Sequence, residues 1–211
     1  VRIRSDSGPV RFGQLQSHPT GYRSPVVEIF RRTGCGRNRH RLRRVREPHR
    51  NRQVSKRDIR LQQLNMDNKR LDGLLRGKTP GYLGTFSRNT SPEENGIFVS
   101  NVDPDHLPGT HWVAIYIDGN RRRGEFFDSF GRPPTGDFRT YMNSHCKHWT
   151  YNKRQLQSVA STYCGHYCVL YCLCRSRGID MPSFLSSFTN DTGFNDLIVA
   201  KAFRQFYNKG R

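Results

Sequence analysis

The sequence is poor in hydrophobic residues and has no long apolar run. Hydrophobic residues make up 34% of its 211 residues, which is less than in an average globular protein. The longest uninterrupted apolar stretch covers only residues 167–174, whereas a membrane-spanning helix needs about 20 apolar residues. The basic N-terminus also lacks the apolar segment of a secretory signal. We therefore expect neither a membrane protein nor a secreted one.

Cysteine is scarce as well. There are six cysteines, too few and too unevenly placed for a disulfide scaffold. In a reducing compartment a cysteine is a buried filler, a metal ligand or a nucleophile. Cys164, Cys168 and Cys172 recur every four residues, but the short Cys-x-x-Cys pairs typical of structural zinc sites do not occur. The pattern favours packing of this helix face in the core, and we expect no metal.

Acidic residues are few, and the imbalance is concentrated near the N-terminus. Lys and Arg number 36 against 17 Asp and Glu, and residues 1–60 hold 17 of the former and 4 of the latter. Such a segment buries too little apolar surface to offset the entropy of ordering. We expect a disordered arm over residues 1–60 and a folded domain over 61–211. The arm is suited to bind polyanions such as nucleic acid; a solubilising tail or a nuclear address is the alternative.

Beyond the arm, periodicity predicts alternating helices and strands. Asp67 is placed to cap a first helix, and Gly119-Asn120 forms the turn of a strong hairpin. Strands are expected at 82–86, 97–102, 111–118, 125–130 and 149–151. Helices are expected at 136–146, 164–177 and 195–207. The prediction is an α+β fold in which a small mixed sheet packs against a cysteine-bearing helix.

Three residues at the ends of these elements point to nucleophilic catalysis. His111 opens one hairpin strand, Asp128 follows the apolar part of the other, and Cys164 begins a helix. A thiolate attacks where a thiol does not, and a helix N-terminus, an imidazole and an orienting carboxylate together favour the thiolate. Taken singly, His111 is more often a capping residue, Asp128 an ordinary turn residue and Cys164 a buried side chain. The three together indicate catalysis more strongly than any one of them does.

An oxyanion site is expected beside the cysteine. Gly165 has no side chain, which would let a substrate carbonyl approach the Cys164 N–H. A second donor is needed, and the side-chain amide of Gln157, seven residues before the cysteine, can supply it. Gln155 is an alternative by composition alone.

These motifs together resemble the adenovirus proteinase (adenain) family of cysteine proteases. The matching segments are 109–114 (GTHWVA), 127–131 (FDSFG), Gln157 and 163–168 (YCGHYC). The pattern is most similar to the adenain-like proteases of Polinton/Maverick elements, and more distantly to the SUMO and ubiquitin-like-protein proteases. The resemblance extends from about residue 65 to the C-terminus, and implies a papain-like/adenain-like fold.

The resemblance also implies roles. His111 would be the general base, Asp128 its orienting acid, Cys164 the nucleophile and Gln157 the oxyanion donor. The expected function is a cysteine endopeptidase that cleaves Gly-containing sites in virion-type or transposon-encoded proteins, located in the nucleus or the virion, with DNA as an activator. A ubiquitin-like deconjugating protease is the first alternative. A non-enzymatic, basic nucleic-acid-binding protein is the second. The sequence leaves the oligomeric state open.

Overall fold

The computed structural model describes residues 66–209, and at residue 205 and residues 207–209 it describes the backbone alone. The predicted basic arm, residues 1–60, lies outside the described residues. None of the helices between residues 66 and 209 combines the length and the apolarity that a bilayer crossing requires.

The described residues form one five-stranded mixed sheet. Its strands are β1 (Tyr82–Phe86), β2 (Ile97–Asn101), β3 (Trp112–Asp118), β4 (Arg123–Phe127) and β5 (His148–Tyr151). They lie side by side in sequence order. The outer pairs β1–β2 and β4–β5 are parallel, and the inner pairs are antiparallel. This mixed sheet, with helices around it, confirms the predicted α+β class.

Five α helices accompany the sheet within the described part of the chain. They are α1 (Asn68–Leu75), α2 (Gly136–His145), α3 (Cys164–Arg175), α4 (Met181–Leu185) and α5 (Thr192–Lys209). The Asp67 side chain caps α1, as predicted, by accepting a 2.8 Å hydrogen bond from the Arg70 N–H. The helix α5 begins at Thr192, three residues earlier than the sequence pattern indicated.

Alternate residues of a strand point to opposite faces of the sheet, and both faces of this sheet are buried. One face contributes Val99, Ala114 and Phe127 to a core that it shares with α3. The other face packs against α2 through a second core. Tyr171 of α3 stacks on Phe127 with ring centroids 4.7 Å apart, and full burial of such a side chain contributes roughly 1.5–3 kcal/mol. The result is a cysteine-bearing helix fixed across the centre of the sheet.

The remaining cysteines of α3 belong to this core. Cys168, Cys172 and Cys174 are completely buried, so the prediction of core packing is confirmed for them. Burial raises the pKa of all three thiols, which keeps them protonated and unreactive at neutral pH.

One boundary differs in a way that matters for the site. The sequence pattern placed a strand at 125–130, but β4 runs from Arg123 to Phe127. It starts early because Arg123 already pairs with Asp118 of β3 and His148 of β5. It ends early because the backbone N–H of Asp128 bonds to the side chain of Asn152 instead of a neighbouring strand. Asp128 therefore lies just beyond the strand, at the start of a loop.

Candidate active site

Three elements bring His111, Asp128 and Cys164 together at one end of the sheet. His111 immediately precedes β3, Asp128 immediately follows β4, and Cys164 is the first residue of α3. Because β3 and β4 are antiparallel, the start of one strand lies beside the end of the other. His111 Nε2 lies 2.7 Å from Asp128 Oδ1. Cys164 lies close enough to His111 to contribute, with Asp128, to raising the pKa of the imidazole, and His111 and Cys164 line the same cavity. The structure thus brings all three predicted residues together in one row.

The row is set up to hold a positive charge on the imidazole. Burial alone would lower the pKa of His111, but hydrogen bonds and negative charge from Asp128 and Cys164 outweigh it and raise that pKa to about 9. At neutral pH the ring is therefore protonated. Because Nε2 is bonded to Asp128, Nδ1 is the ring nitrogen left to carry a proton to and from a reaction centre.

The backbone of Asp128 is held by a residue that the sequence analysis missed. Asn152 Oδ1 accepts a 2.9 Å hydrogen bond from the Asp128 N–H, and Asn152 Nδ2 donates to the Asp128 carbonyl at 2.5 Å. The carboxylate is turned toward His111 partly because Oδ1 also accepts from the Phe130 N–H at 2.8 Å. Asn152 lies 24 residues along the chain, and no local pattern marks it. Its burial identifies it as the support of the acid.

Replacing Asn152 with alanine is expected to damage both stability and catalysis. The change leaves the buried N–H of Asp128 without its partner, which costs about 1–3 kcal/mol, while the Asp128 carbonyl keeps its bond from the Gly131 N–H. We expect kcat to fall about tenfold as the acid shifts. Chemical denaturation and steady-state kinetics measure the two effects. Asn143→Ala is the control, because Asn143 bonds only to the exposed Trp149 indole N–H. Unchanged kcat in Asn152→Ala would show that Asp128 does not need this support.

Cys164 lies at the floor of a cavity and at the positive end of α3. The first N–H groups of a helix have no intrahelical acceptor, and the residue before Cys164, Tyr163, makes no side-chain capping bond. The helix end therefore favours negative charge on the sulfur. The cavity has a volume of about 370 Å³. His111, Trp112, Gln157 and Cys164 are among the residues that line it.

The structure distinguishes between the two glutamines. Gln157 is buried and lines the cavity, whereas Gln155 is exposed and uses its amide to bond the Gln157 carbonyl. Gln157 Oε1 accepts from the Ser129 hydroxyl at 2.7 Å, and its Nε2 donates to the Ser161 carbonyl at 2.7 Å. An amide nitrogen carries two hydrogens, so one N–H remains for an oxyanion.

The role expected of Gly165 needs correction. From the sequence, the lack of a side chain was expected to let a substrate carbonyl approach. In the structure the space beside the Gly165 Cα is filled by the protein itself. An added Cβ would lie 2.7 Å from Met66 Cβ and 3.3 Å from Trp112 Cδ1. The Trp112 indole N–H in turn bonds the Met66 carbonyl at 2.9 Å. Glycine at 165 lets the chain at Met66 lie against α3 beside the cavity.

Gly165→Ala is expected to destabilise the protein by about 1–3 kcal/mol, the usual result of overpacking. The matched control is Gly73→Ala in α1, where an added Cβ meets nothing within 4 Å. There the change removes helix-interior glycine and is expected to stabilise by about 0.4–1 kcal/mol. Urea denaturation of both variants measures the difference. Equal stability of the two variants would contradict the close approach at Met66.

The neighbouring histidine does not join the row. His166 packs its ring against those of Tyr163 and Phe203. Burial, with the nearby charge of Arg70, lowers its pKa to about 4, so it is neutral at physiological pH. Over residues 66–209, no three His, Cys, Asp or Glu side chains are grouped so that they could hold a metal ion.

Comparisons with known proteins can be set beside this geometry. No protein-family model matches the chain, and no curated protein matches it. Among solved structures it is similar to the crystal structure of the ASFV pS273R protease, with 26% sequence identity and a TM-score of 0.40. The match covers 52% of this chain and 43% of that chain, so it spans less than half of the neighbour's length. A likeness of that extent does not assign an activity, which has to come from the side chains.

Proposed function

We propose that this protein is a cysteine peptidase in which Cys164 is the nucleophile. The observation that carries the proposal is the row of Asp128, His111 and Cys164, with the cysteine at a helix N-terminus inside an open cavity. The row supports the three requirements of thiol catalysis, because Cys164 is the nucleophile, His111 can carry the proton and Asp128 can orient the carrier.

The first half-reaction follows from this geometry. The Cys164 thiolate attacks the carbonyl carbon of a peptide or isopeptide bond, and the carbonyl oxygen becomes negative. The Cys164 N–H and the remaining N–H of Gln157 Nε2 stabilise that oxygen. His111 Nδ1 then gives its proton to the leaving amine, the C–N bond breaks, and a thioester forms at Cys164.

The second half-reaction restores the enzyme. The now neutral His111 takes a proton from a water molecule, and the resulting hydroxide attacks the thioester carbonyl. The carbon–sulfur bond breaks, the carboxylic acid product leaves, and the thiolate–imidazolium pair is regenerated. Asp128 holds the ring in place and balances its charge through both half-reactions.

Access to the sulfur favours small residues in the substrate. His111 and Cys164 expose only 8% and 9% of their surface, and Met66 and Trp112 crowd the same cavity. A chain without side chains reaches such a sulfur more readily than a branched one. We therefore propose cleavage at glycine-containing sites.

The natural substrate, partners and location are part of the proposal. The resemblance to adenain-like proteases of Polinton/Maverick elements favours processing of virion-type structural proteins, in the nucleus or the virion. Removal of a ubiquitin-like modifier from its conjugates is the second candidate, favoured by aspartate at position 128 where many adenoviral members have glutamate. The basic composition of residues 1–60 supports binding to nucleic acid, with DNA as an activator.

A substrate panel tests the function. The full-length protein is incubated with a Gly-Gly-containing peptide library, the same library with valine in place of glycine, a capsid-precursor peptide and a ubiquitin-like fusion, each with and without double-stranded DNA. Mass spectrometry identifies the cleaved bonds. We expect cleavage after glycine and a covalent adduct of iodoacetamide at Cys164.

The outcomes separate the candidates. Cleavage of the capsid-type peptide favours the processing protease, and cleavage of the fusion alone favours the deconjugating one. Cleavage of the valine library at the glycine rate would overturn the glycine preference. No cleavage of any substrate, with or without DNA, would overturn the enzyme and leave the basic nucleic-acid-binding protein.

A further inference from the structure

The loop that carries Gln157 has no regular structure of its own. Residues 156–163 form the last part of the connection between β5 and α3. We name this segment the oxyanion loop. Transition-state stabilisation needs a donor fixed before the reaction begins. A displacement of about 1 Å in an active site can cost about 10²-fold in rate. A loop in this position therefore needs support from outside itself.

Part of that support comes from Asn195 of α5. Its Nδ2 donates to the Leu156 carbonyl at 3.2 Å and to the Thr189 carbonyl at 2.9 Å. Its Oδ1 accepts from the Thr189 N–H at 2.8 Å. The side chain is completely buried. Asn195 thus joins the residue just before Gln157 to the segment that leads into α5.

Asp196 supports the other side of Gln157. Its Oδ2 accepts from the Ser158 N–H at 3.3 Å, and its Oδ1 lies 3.0 Å from the Tyr167 hydroxyl. The same hydroxyl lies 3.2 Å from the Leu156 carbonyl. Asp196 exposes 7% of its surface, and burial raises the pKa of its carboxyl. Burying a carboxylate costs free energy unless hydrogen bonds from the protein replace those from water.

Neither residue lines the catalytic cavity, yet together they hold the residues on both sides of Gln157. We propose that Asn195 and Asp196 are positioning residues that fix the oxyanion loop, so that the free N–H of Gln157 points at the oxyanion. The inference rests on the proposed peptidase function. It assigns to α5, which follows the nucleophile by about 30 residues in the chain, a part in the chemistry.

The test uses Asp196→Asn and compares two reactions at Cys164. The amide has one acceptor oxygen where the carboxylate has two, so it can no longer accept from the Ser158 N–H and the Tyr167 hydroxyl through separate oxygens. The support of the loop is thus weakened at nearly the same side-chain volume. We expect kcat for a Gly-Gly peptide to fall about tenfold with KM unchanged within about twofold. Alkylation of Cys164 by iodoacetamide is expected to keep its wild-type rate, because displacement at a saturated carbon forms no oxyanion.

A double variant asks whether Asp196 acts through Gln157. In a Gln157→Ala background the Asp196→Asn change is expected to lower kcat by less than about twofold, because no side-chain donor remains to be positioned. Tyr167→Phe, which removes one bond to Asp196, serves as a second and gentler variant. Asp180→Asn is the matched control, since Asp180 caps α4 through the Ser183 N–H and is expected to leave kcat unchanged.

The inference and the proposed function fail in different ways. If Asp196→Asn costs the same factor with and without Gln157, or slows alkylation as much as hydrolysis, the positioning role is overturned while the peptidase stands. If the wild-type protein cleaves no peptide, the proposed function is overturned and the inference falls with it.

Discussion

Cys164→Ala is expected to lower kcat/KM by about 10⁵- to 10⁶-fold, the loss typical of removing a catalytic nucleophile. The change removes the one cysteine, among residues 66–209, that lines the cavity, and this cysteine is the first residue of α3 and lies beside His111. The oxyanion donors remain, so a small residual rate over uncatalysed hydrolysis is expected. Steady-state kinetics on a Gly-Gly peptide and mass spectrometry of the acyl-enzyme measure the loss.

Cys168→Ala is the matched control for this prediction. Cys168 lies one helical turn further along α3, is completely buried, and has its thiol pKa raised well above the usual value by burial. We expect its removal to leave kcat/KM within about twofold of wild type and to reduce stability modestly, as for any small core side chain. Comparable activity in Cys164→Ala and Cys168→Ala would remove Cys164 from the mechanism.

Asp128→Asn is expected to reduce kcat/KM by about 10²-fold or more and to move its pH dependence. The amide can still accept a bond from His111 Nε2, but it carries no charge to stabilise the imidazolium. In the wild-type protein the pKa of His111 is about 9, so activity is expected to fall as the pH rises through about 9. Without the carboxylate, burial pulls the pKa of His111 down, and the alkaline limb moves to lower pH.

The same shift has a consequence for stability, with a definite sign. The pKa of His111 is higher in the folded protein, about 9, than the value of about 6.5 for an unperturbed histidine. Its contribution to folding is therefore complete below about pH 6.5 and is lost as the pH rises through about 9. In Asp128→Asn the pKa of His111 in the folded protein is lower, so this contribution to stability is smaller.

The quantities to measure are kcat/KM and the free energy of unfolding in urea, both between pH 5 and pH 10. This range of about five units includes the pKa of histidine. Asp118→Asn is the control, because Asp118 lies at the opposite end of β3 from His111 and pairs with Arg121. An alkaline limb that stays near pH 9 in Asp128→Asn would show that Asp128 does not set the charge of His111.

Local patterns in the sequence predict most of the framework. The Asp67 cap, the Gly119-Asn120 turn and the apolar spacing of α3 each act over a few residues, so helices and strands follow from them. The hairpin places His111 and Asp128 at one end of the sheet by geometry alone. The burial of Cys168, Cys172 and Cys174 follows from their helical spacing in an apolar run.

The supports of the site could not be predicted in this way. Asn152 contacts Asp128 across 24 residues, Asp196 contacts Ser158 across 38, and Trp112 contacts Met66 across 46. Such contacts depend on how finished elements pack, and a polar residue that makes them looks like any other polar residue in a loop or helix. The role of Gly165 was misassigned for the same reason, since Met66 is far away in the chain.

Ser129 joins the two halves of the site. It follows Asp128 directly, its carbonyl accepts from the N–H groups of Leu156 and Gln157, and its hydroxyl donates to Gln157 Oε1. The acid that orients His111 in the proposed mechanism and the residue that holds the proposed oxyanion donor Gln157 are therefore neighbours in the chain. A substitution that moves the backbone at this point is expected to disturb the imidazole and the donor at once.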